Sequence, residues 1–387
     1  MKLNLAALHA VIASLAIGTA SAQRDAAKLV PNEHRSLKNE IERSISRGIE
    51  YLLSQQKEDG SWGDEKFPAL TALPTSAMLL DPNREAGSPI PAKARQGLDY
   101  LVTKVRLDGG IYGKGLGSYN TALSVMALVA ADEDKYTPTI LKARRFLVNM
   151  QSDYDKRGQT DNVFDGGVGY GSSYSHPDLS NTYIALEALA ATKHLLVESP
   201  DEPDLDWEAA IKFVQNCQHN PNTNKEDWVS KDPKDRGGMV YFPGKSMSEE
   251  EIAESGKVLL RSYGSMSYAG LLSFIYADLD KEDPRVAACV DWLEKNFSVE
   301  ENPGMGQEGL YYYLHTMAKG LTVAGIDKIP GPEGKMINWR VALTKKFLNE
   351  QEKDGSWVNE NGRWWESDPI LVTSYAILSL ARVHEGL

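Results

Sequence analysis

Two kinds of helical segment alternate along the chain, and they differ in where they place their charges. In the first kind, apolar residues recur at helical spacing with charged residues between them, as at Ile45, Ile49 and Leu52. Six such segments align on a pair made of an aromatic and an aliphatic residue: Tyr51-Leu52, Tyr100-Leu101, Phe146-Leu147, Phe213-Val214, Trp292-Leu293 and Phe347-Leu348. The pattern predicts six amphipathic helices.

The second kind of segment follows the first in each case and carries almost no charge. Examples are residues 118–130, 180–191, 263–277 and 370–381. Helices of this composition must be buried on nearly all sides. The alternation therefore predicts an all-α fold, an (α/α)6 toroid of six helix-pair repeats with an inner apolar ring and an outer amphipathic ring. An open helical solenoid is the alternative, but it would protect the apolar helices less than their composition requires.

A glycine-containing turn separates the two kinds of helix, and its clearest copies lie near the two ends of the chain. Residues 47–62 read RGIEYLLSQQKEDGSW, and residues 344–357 read TKKFLNEQEKDGSW. In both copies Asp-Gly ends the helical pattern, because glycine supplies the positive φ that a helix C-terminus commonly needs. We interpret the Gln and Trp of each copy as structural residues that clasp the helix end in an internal repeat: Gln56, Trp62, Gln351 and Trp357.

The first 22 residues have the pattern of a secretory signal peptide. Lys2 supplies the basic n-region, residues 3–17 are mostly apolar, and residues 20–22 form a small-residue cleavage site. We expect cleavage after Ala22 and a secreted or periplasmic protein. The expected domain organisation is a lead-in over residues 23–40 and a single toroid domain over residues 41–387, with no transmembrane helix after the signal.

Charge and cysteine content exclude two further classes of protein. The net charge is −12, and no basic stripe exists to neutralise phosphates, so nucleic acid is excluded as a partner. Cys217 and Cys289 have no Cys or His neighbours at zinc-ligand spacing. They also fall at different heights in the repeat, so we expect free and buried thiols.

The pattern basic-Gly-x-x-aromatic-Leu, followed by Gln and then Gly-x-Trp, resembles the QW repeat of squalene and oxidosqualene cyclases. The chain after residue 22 resembles the superfamily of α/α toroids that includes terpene cyclases and protein prenyltransferases. The similarity is strongest at residues 47–62 and 347–357. It implies a single (α/α)6 barrel whose apolar central cavity binds an isoprenoid chain.

The catalytic motifs of those families do not carry over to this chain. Squalene cyclases protonate an alkene with an Asp-x-Asp-Asp motif, but the nearest strings here, residues 204–207 and 278–281, lack the third Asp. Protein prenyltransferases hold zinc with an Asp-x-Cys pair and a His. His315 matches that His, whereas Arg261 and Tyr263 stand where Asp and Cys are needed. We therefore expect no metal and no cofactor.

Polar and aromatic residues collect where the turns lead into the inner helices, which should be one end of the barrel. The sequence does not identify catalytic residues; the candidates are His315, Tyr263 and Asp178, although Asp178 could instead cap its helix. Arg261 could face a ligand head group or pair with a carboxylate of the acidic 247–254 insertion. Aromatic and charged residues around one mouth suit a ligand site. The predicted ligand-binding residues are Arg261, Tyr263, Tyr268, Tyr311, His315, Trp364 and Trp365.

Three functions remain open at this point. The first is an exported toroid that binds an isoprenoid or other apolar small molecule, or a protein partner, without the known catalytic groups. The second is an active terpene cyclase- or prenyltransferase-type enzyme with non-standard residues. The third is a carbohydrate-active toroid, either a lyase or a hydrolase. In it Trp364 and Trp365 would stack on a sugar, and the acid and base would come from Asp161, Asp165 or Asp178.

Overall fold

The computed structural model describes residues 34–387, except residues 86, 172–173, 249–250, 253–257 and 332–333. Within this part of the chain, twelve α-helices alternate between two rings. The outer ring contains α1 (Arg35–Gln55), α3 (Ala92–Thr103), α5 (Thr137–Asn149), α7 (Trp207–Asn216), α9 (Pro284–Lys295) and α11 (Trp339–Glu350). The inner ring contains α2 (Ala69–Leu79), α4 (Gly117–Ala130), α6 (Leu179–Ala191), α8 (Gly264–Tyr276), α10 (Leu310–Val323) and α12 (Pro369–Gly386).

The inner ring is closed. Consecutive inner helices pack against each other, and the last one, α12, packs against the first, α2. Their composition explains this position, because α2 is buried along its whole length and α8 is buried at every residue except Ile275. The outer helices bury only one face; in α1 that face includes Ile41, Ile45 and Leu52. The prediction of an all-α toroid with two concentric rings is confirmed, and the contact between α12 and α2 excludes the open solenoid.

In the described part of the chain, the loops contain three short antiparallel hairpins, and none was predicted from the sequence. They are β1 (Gly169–Gly171) with β2 (Tyr174–Pro177), β3 (Glu251–Ile252) with β4 (Val258–Leu259), and β5 (Lys328–Pro330) with β6 (Met336–Asn338). The first places Gly169 opposite Pro177, and the third places Lys328 opposite Asn338. Hairpins this short depend on the helices beneath them for their stability.

A glycine in the turn after most outer helices lies directly against the next outer helix. Gly355 has φ +94°, and a Cβ there would lie 2.4 Å from the carbonyl oxygen of Arg47 in α1. The same approach to a backbone carbonyl of the next outer helix recurs at Gly60, Gly109, Gly166 and Gly237. These positions need glycine for both its left-handed backbone and its lack of a side chain.

A glutamine side chain bridges the same joint between outer helices. Gln56 Nε2 donates to the carbonyl oxygens of Gly60 and Lys93, both at 2.9 Å. At the other end of the chain, Gln351 Nε2 donates to the carbonyl oxygens of Gly355 and Ser44, both at 2.9 Å. Since Ser44 lies in α1, Gln351 joins the last outer helix to the first and closes the outer ring. Gln151 and Gln218 make the equivalent bridges in the middle of the chain.

The two tryptophans of the clasp are fully buried and bond to the helix that precedes them. Trp62 Nε1 donates to the carbonyl oxygen of Leu52 at 2.7 Å, and Trp357 Nε1 donates to that of Phe347 at 2.8 Å. These contacts make Leu52 equivalent to Phe347. The sequence alignment placed Tyr51 opposite Phe347 and was therefore wrong by one residue. It was based on the aromatic residue near each helix end, and the tryptophan recognises the backbone carbonyl ten residues before it whichever side chain stands there.

The predictions for the ends and the thiols have separate outcomes. The predicted signal peptide and its cleavage after Ala22 lie outside the described residues. Helix α1 begins at Arg35, earlier than the predicted domain start at residue 41. Cys217 and Cys289 are buried and free. Among the described helices, none combines the length and the hydropathy that a bilayer crossing requires.

Substitution at Gly355 tests how far stability depends on ring closure. Gly355→Ala adds a Cβ that meets the Arg47 carbonyl and should separate the final turn from α1. Gly115→Ala is the matched control, because Gly115 also has positive φ, +73°, but has open space around it. The control should cost about 1–2 kcal/mol, the cost of left-handed backbone in an alanine. Gly355→Ala should cost clearly more in the free energy of unfolding, measured by urea denaturation. Equal losses in the two variants would contradict a role for this contact in closing the ring.

Candidate functional site

A cavity of about 510 Å³ lies at the C-terminal ends of the inner helices. All six inner helices contribute to its wall, and most of the lining side chains are apolar. They include Leu73 and Ser76 of α2, Leu123 and Met126 of α4, Glu187 and Ala190 of α6, Tyr276 of α8, His315, Lys319 and Val323 of α10, and Leu378 and Arg382 of α12. From the sequence, a ligand site was predicted at the opposite end of the barrel, where the inner helices begin.

One buried ion pair lies in this wall, which also contains acidic side chains at residues 132–134. Lys319 Nζ lies 2.8 Å from Glu187 Oε2 and donates to Tyr183 Oη at 3.0 Å. The hydroxyl of Tyr276 donates to the other carboxylate oxygen of Glu187 at 3.2 Å. Since α6 and α10 are not neighbours in the ring, the pair reaches across α8, and three inner helices meet at this point.

Burial alters the acid–base properties of this cluster. It lowers the pKa of Lys319 below the ordinary lysine value; Glu187 opposes that shift and Arg382 adds to it. Burial, with the charge of Glu187, raises the pKa values of Tyr183 and Tyr276 well above that of a free phenol. The guanidinium group of Arg382 makes no hydrogen bond or ion pair with other residues in the described part of the chain. The cluster therefore contains an amine that releases its proton more readily than a surface lysine.

His315 lies inside the barrel and lines the cavity. Its ring stacks on Tyr375 with a centroid distance of 5.2 Å, and its Nδ1 lies 3.5 Å from Ser379 Oγ. Burial, together with the positive charges of Lys319 and Arg382, holds the pKa of His315 well below the usual histidine value. The imidazole therefore favours its neutral form, and it faces the cavity as a polar group.

A layer of tyrosines occupies the other end of the barrel, at the starts of the inner helices. The hydroxyls of Tyr119 and Tyr375 lie 3.0 Å apart, and that of Tyr312 lies 3.1 Å from Ser180 Oγ. Tyr263 is buried at the same end. Its hydroxyl pKa is raised, chiefly by burial and then by the charges of nearby groups that include Tyr312 and Asp178. The predicted candidates Tyr263 and Asp178 are therefore brought together, but beside a hydroxyl layer and away from the cavity.

Asp178 caps α6, as the alternative interpretation of this residue anticipated. Its carboxylate accepts from the backbone N–H of Asn181 at 2.9 Å and from Asn181 Nδ2 at 2.8 Å. Asp178 is fully buried, and this burial raises the pKa of its carboxyl to about 7 despite those hydrogen bonds. Near neutral pH this carboxyl is therefore partly protonated, and it lies close to the tyrosine layer.

Three of the predicted ligand-binding residues have other neighbours. Arg261 Nη1 pairs with Asp232 at 2.8 Å and with Asp235 at 2.7 Å, and both carboxylates belong to the preceding loop. The Tyr311 hydroxyl donates to Glu350 of the outer ring at 3.1 Å. The Tyr268 ring packs on Tyr313 of the next inner helix. None of the three lines the cavity, so ligand binding by them stays a prediction that this geometry does not favour.

Trp364 and Trp365 lie at the surface, close to the start of α12. They are 44% and 48% exposed, and both have left-handed backbone, with φ of 54° and 67°. Trp365 packs against Phe67 with a centroid distance of 4.7 Å, and Arg363 lies over Trp364. Two bulky residues held in this conformation store backbone strain. The pair is a flat aromatic surface outside the barrel, and it is not part of the cavity.

The carboxylates proposed for sugar chemistry do not form a pair across a mouth. Asp165 accepts from the backbone N–H groups of Tyr154 and Asn162, both at 2.7 Å, and so holds its own loop together. Asp161 is exposed and accepts only a long hydrogen bond from Lys156. The described residues contain no group of three or more His, Cys, Asp or Glu side chains able to hold a metal ion. A zinc site is not supported by the two residues at the expected ligand positions. Arg261 is a cation that pairs with Asp232 and Asp235, and Tyr263 is a buried phenol.

The residues that the sequence reasoning missed are Glu187, Lys319 and Arg382. A signal for two of them was present: α6 contains one charged residue, Glu187, and α10 contains one, Lys319. Their charges are opposite, and a lone charge on an otherwise uncharged buried helix requires a partner. No comparable signal places Arg382 in the cavity wall.

The closed double ring with a cavity inside it defines the chain as an all-α toroid. Among solved structures it is similar to the type II terpene cyclase MstE from Scytonema, with a TM-score of 0.53, 13% identity, and coverage of 90% of this chain and 99% of that one. Protein geranylgeranyltransferase-I from Candida albicans gives a TM-score of 0.51 and 14% identity, with 89% and 90% covered. An unsaturated glucuronyl hydrolase specific for heparin gives 0.56 and 12%, with 90% and 98% covered.

These similarities show the fold, an α/α toroid, and nothing beyond the fold. At such low identity they carry no residue roles from one protein to another. No protein-family model matches the chain, and no curated protein is similar to it in sequence.

The raised pKa of Asp178 predicts a specific dependence of stability on pH. Between pH values of about 4 and about 7 the folded state keeps a proton on Asp178 that the unfolded state has released, so unfolding becomes easier as pH rises. Asp178→Asn keeps an oxygen to cap α6 and removes the titration. A flip of the Asn181 amide, whose Oδ1 is buried without a partner, would pair the new amide. The variant should therefore lose less stability over this range than wild type, by about 1.4 kcal/mol for each pH unit.

Urea denaturation at several pH values measures this difference. Asp206→Asn is the control, because Asp206 caps the outer helix α7 in the same way, accepting from the N–H of Ala209. Parallel pH profiles for wild type and Asp178→Asn would show that Asp178 does not titrate in this range.

Proposed function

We propose that this protein binds an elongated apolar small molecule, of which an isoprenoid is the leading example, inside the inner ring. The observation that carries the proposal is the cavity of about 510 Å³, whose wall combines many apolar side chains with a buried ion pair, Arg382 and the acidic residues 132–134. Ligand pockets commonly have this volume, and they combine apolar walls with a few polar groups that orient the ligand. The apolar part of the ligand would lie against Leu123, Met126 and Leu378, with its polar end at Glu187, Lys319 and Arg382.

Three considerations support this choice over the alternatives. The terpene cyclase MstE has been solved in complex with geranylgeranyl dihydroxybenzoate, which is its substrate, and the geranylgeranyltransferase in complex with GGPP. The Asp-x-Asp-Asp and zinc motifs of those enzyme classes do not occur in this chain. Of the carboxylates considered for sugar chemistry, Asp165 holds its own loop together and Asp178 caps a helix. Binding without the known catalysis is the simplest function that uses the cavity, and the N-terminal signal pattern would place it outside the cytoplasm.

A cavity-filling substitution tests the proposal. Ala190 lines the cavity, and Ala190→Phe would fill part of it with an aromatic ring. A dansyl-labelled farnesol should bind the wild type, be displaced by unlabelled farnesol, and bind Ala190→Phe about tenfold or more weakly, a loss of about 1.4 kcal/mol. Fluorescence titration of the purified proteins gives both dissociation constants.

Ala324→Phe is the matched control for this test. Ala324 lines a separate groove between α8, α9 and the end of α10, so the same substitution there should leave binding unchanged. Equally weakened farnesol binding in both variants would mean either that the ligand binds elsewhere or that both variants are unfolded. Circular dichroism distinguishes these two cases. Failure of farnesol to bind the wild type would remove an isoprenoid chain from the proposal.

One observation favours a second candidate, an enzyme that donates a proton. Asp178 is a buried carboxyl with a pKa of about 7, surrounded by tyrosines, and such groups serve as general acids. Conversion of a polyprene substrate by wild type and not by Asp178→Asn would support this candidate. Farnesol binding without any product from farnesyl or geranylgeranyl substrates would leave binding as the function.

A further inference from the structure

Lys319 combines three properties that a structural lysine does not need. Its side chain is 8% exposed, it forms part of the wall of the large apolar cavity, and its Nζ has one carboxylate and one hydroxyl as partners. A buried ion pair contributes little net stability, because removing two charges from water costs about as much as their attraction returns. The pair therefore calls for an explanation beyond holding α6 and α10 together.

We propose that Lys319 forms a Schiff base with an apolar aldehyde bound in the cavity, and that Glu187 is the counter-ion of the resulting iminium. This inference rests on the proposed function, because it names the class of ligand that the same cavity takes. The apolar walls would hold the hydrocarbon part, and the carbonyl carbon would lie next to Nζ. The Tyr183 and Tyr276 hydroxyls would stabilise the polar end.

The reaction balances without an oxidant or a reductant. Lys319 first gives a proton to Glu187, and its free amine attacks the carbonyl carbon, forming a C–N bond as the C=O π bond breaks. Proton transfers then convert the new hydroxyl into a leaving water, with the proton supplied by Glu187. The net change joins the ammonium and the aldehyde into a protonated imine and releases one water, which leaves Glu187 ionised beside the positive nitrogen.

The surroundings of Lys319 favour its free amine more than those of a surface lysine do. Nucleophilic lysines are activated when burial or a neighbouring cation favours the free amine. Both conditions hold here, since the side chain is buried and Arg382 lines the same cavity. The other titratable groups around it are Glu187, Tyr183, Tyr276 and His315. The carboxylates of residues 132–134 and the imidazole of His194 line the same cavity. Arg382 acts in this scheme as a positioning residue through its charge, and it does not touch the reacting atoms.

Reductive trapping of the purified protein with farnesal and sodium cyanoborohydride tests the proposal. Hydride reduction fixes the imine as a secondary amine, which adds the mass of the aldehyde minus one oxygen atom. Peptide mass spectrometry should find this addition at Lys319 in wild type, at least tenfold above any other lysine. Lys319→Arg keeps a cation beside Glu187 but cannot form an imine, so the adduct on the peptide that contains position 319 should disappear while the yields at other lysines stay unchanged.

Lys346→Arg is the matched control. Lys346 is almost as buried, with 10% exposure, and pairs with Glu300 and Glu350, but it does not line the cavity. Trapping at Lys319 should be unchanged in this variant, and Lys346 should stay unmodified in wild type. If burial and an ionic partner were sufficient, Lys346 would react as well. The wild-type peptide map decides the case even if Lys319→Arg does not fold.

The pH dependence of the trapping rate separates an activated amine from a chance adduct. Arg382→Met removes a positive charge near Lys319 and should move the half-maximal trapping rate to higher pH, whereas Arg363→Met at the other end of the barrel should not. Farnesol binding combined with adducts only on surface lysines would overturn the Schiff base and leave the proposed function intact. No binding of farnesol and no adduct at Lys319 would overturn both.

Discussion

The joint between the final turn and the first helix is the interaction on which the rest of the structure depends. At this joint Gln351 bonds to the Ser44 carbonyl, Arg47 donates to the Glu352 carbonyl at 2.7 Å, and Gly355 lies against the backbone of α1. Without it the inner helices α2 and α12 would each lose one neighbour. Both are apolar along most of their length, so opening the ring would expose a large uncharged surface to water. The cavity also exists only while all six inner helices enclose it.

The interior of the ring is divided into layers of different chemistry. Tyrosine hydroxyls and a protonatable carboxyl occupy the end where the inner helices begin. His315 lies deeper, and the ion pair between Lys319 and Glu187 lies where the helices end. From Tyr312 to Lys319 the helix rises roughly 10 Å, so these layers are distinct positions along one axis. Perturbed ionisable groups concentrate where proteins act on ligands, and here both polar layers contain them.

The fold was predictable from the sequence because the pattern of charged and apolar residues in each helix indicates how much of that helix is buried. A helix such as α8, with no charged residue, can only be buried, and α1, with charges between its apolar positions, can only be half buried. The site was less predictable because it depends on which helices meet. Glu187 and Lys319 are 132 positions apart, and only ring closure in three dimensions places them at 2.8 Å. The pairing of Arg261 with Asp232 and Asp235 was missed because the loop path between them leaves no periodic signal. The left-handed backbone of Trp364 and Trp365 has no counterpart in residue preferences, which favour glycine there.

The contact between His384 and Glu42, 2.9 Å apart, shows that the last inner helix and the first outer helix are neighbours in the folded molecule. A ring built in this way has no privileged starting point, because most outer helices, the first included, are held by the turn before them in the cycle. The order of the chain could be permuted: a short linker across the α12–α1 junction and a new opening in an exposed connection would preserve the same set of helix contacts. In that sense the toroid is encoded by the cyclic order of its helices, and the place where translation begins is incidental to its architecture.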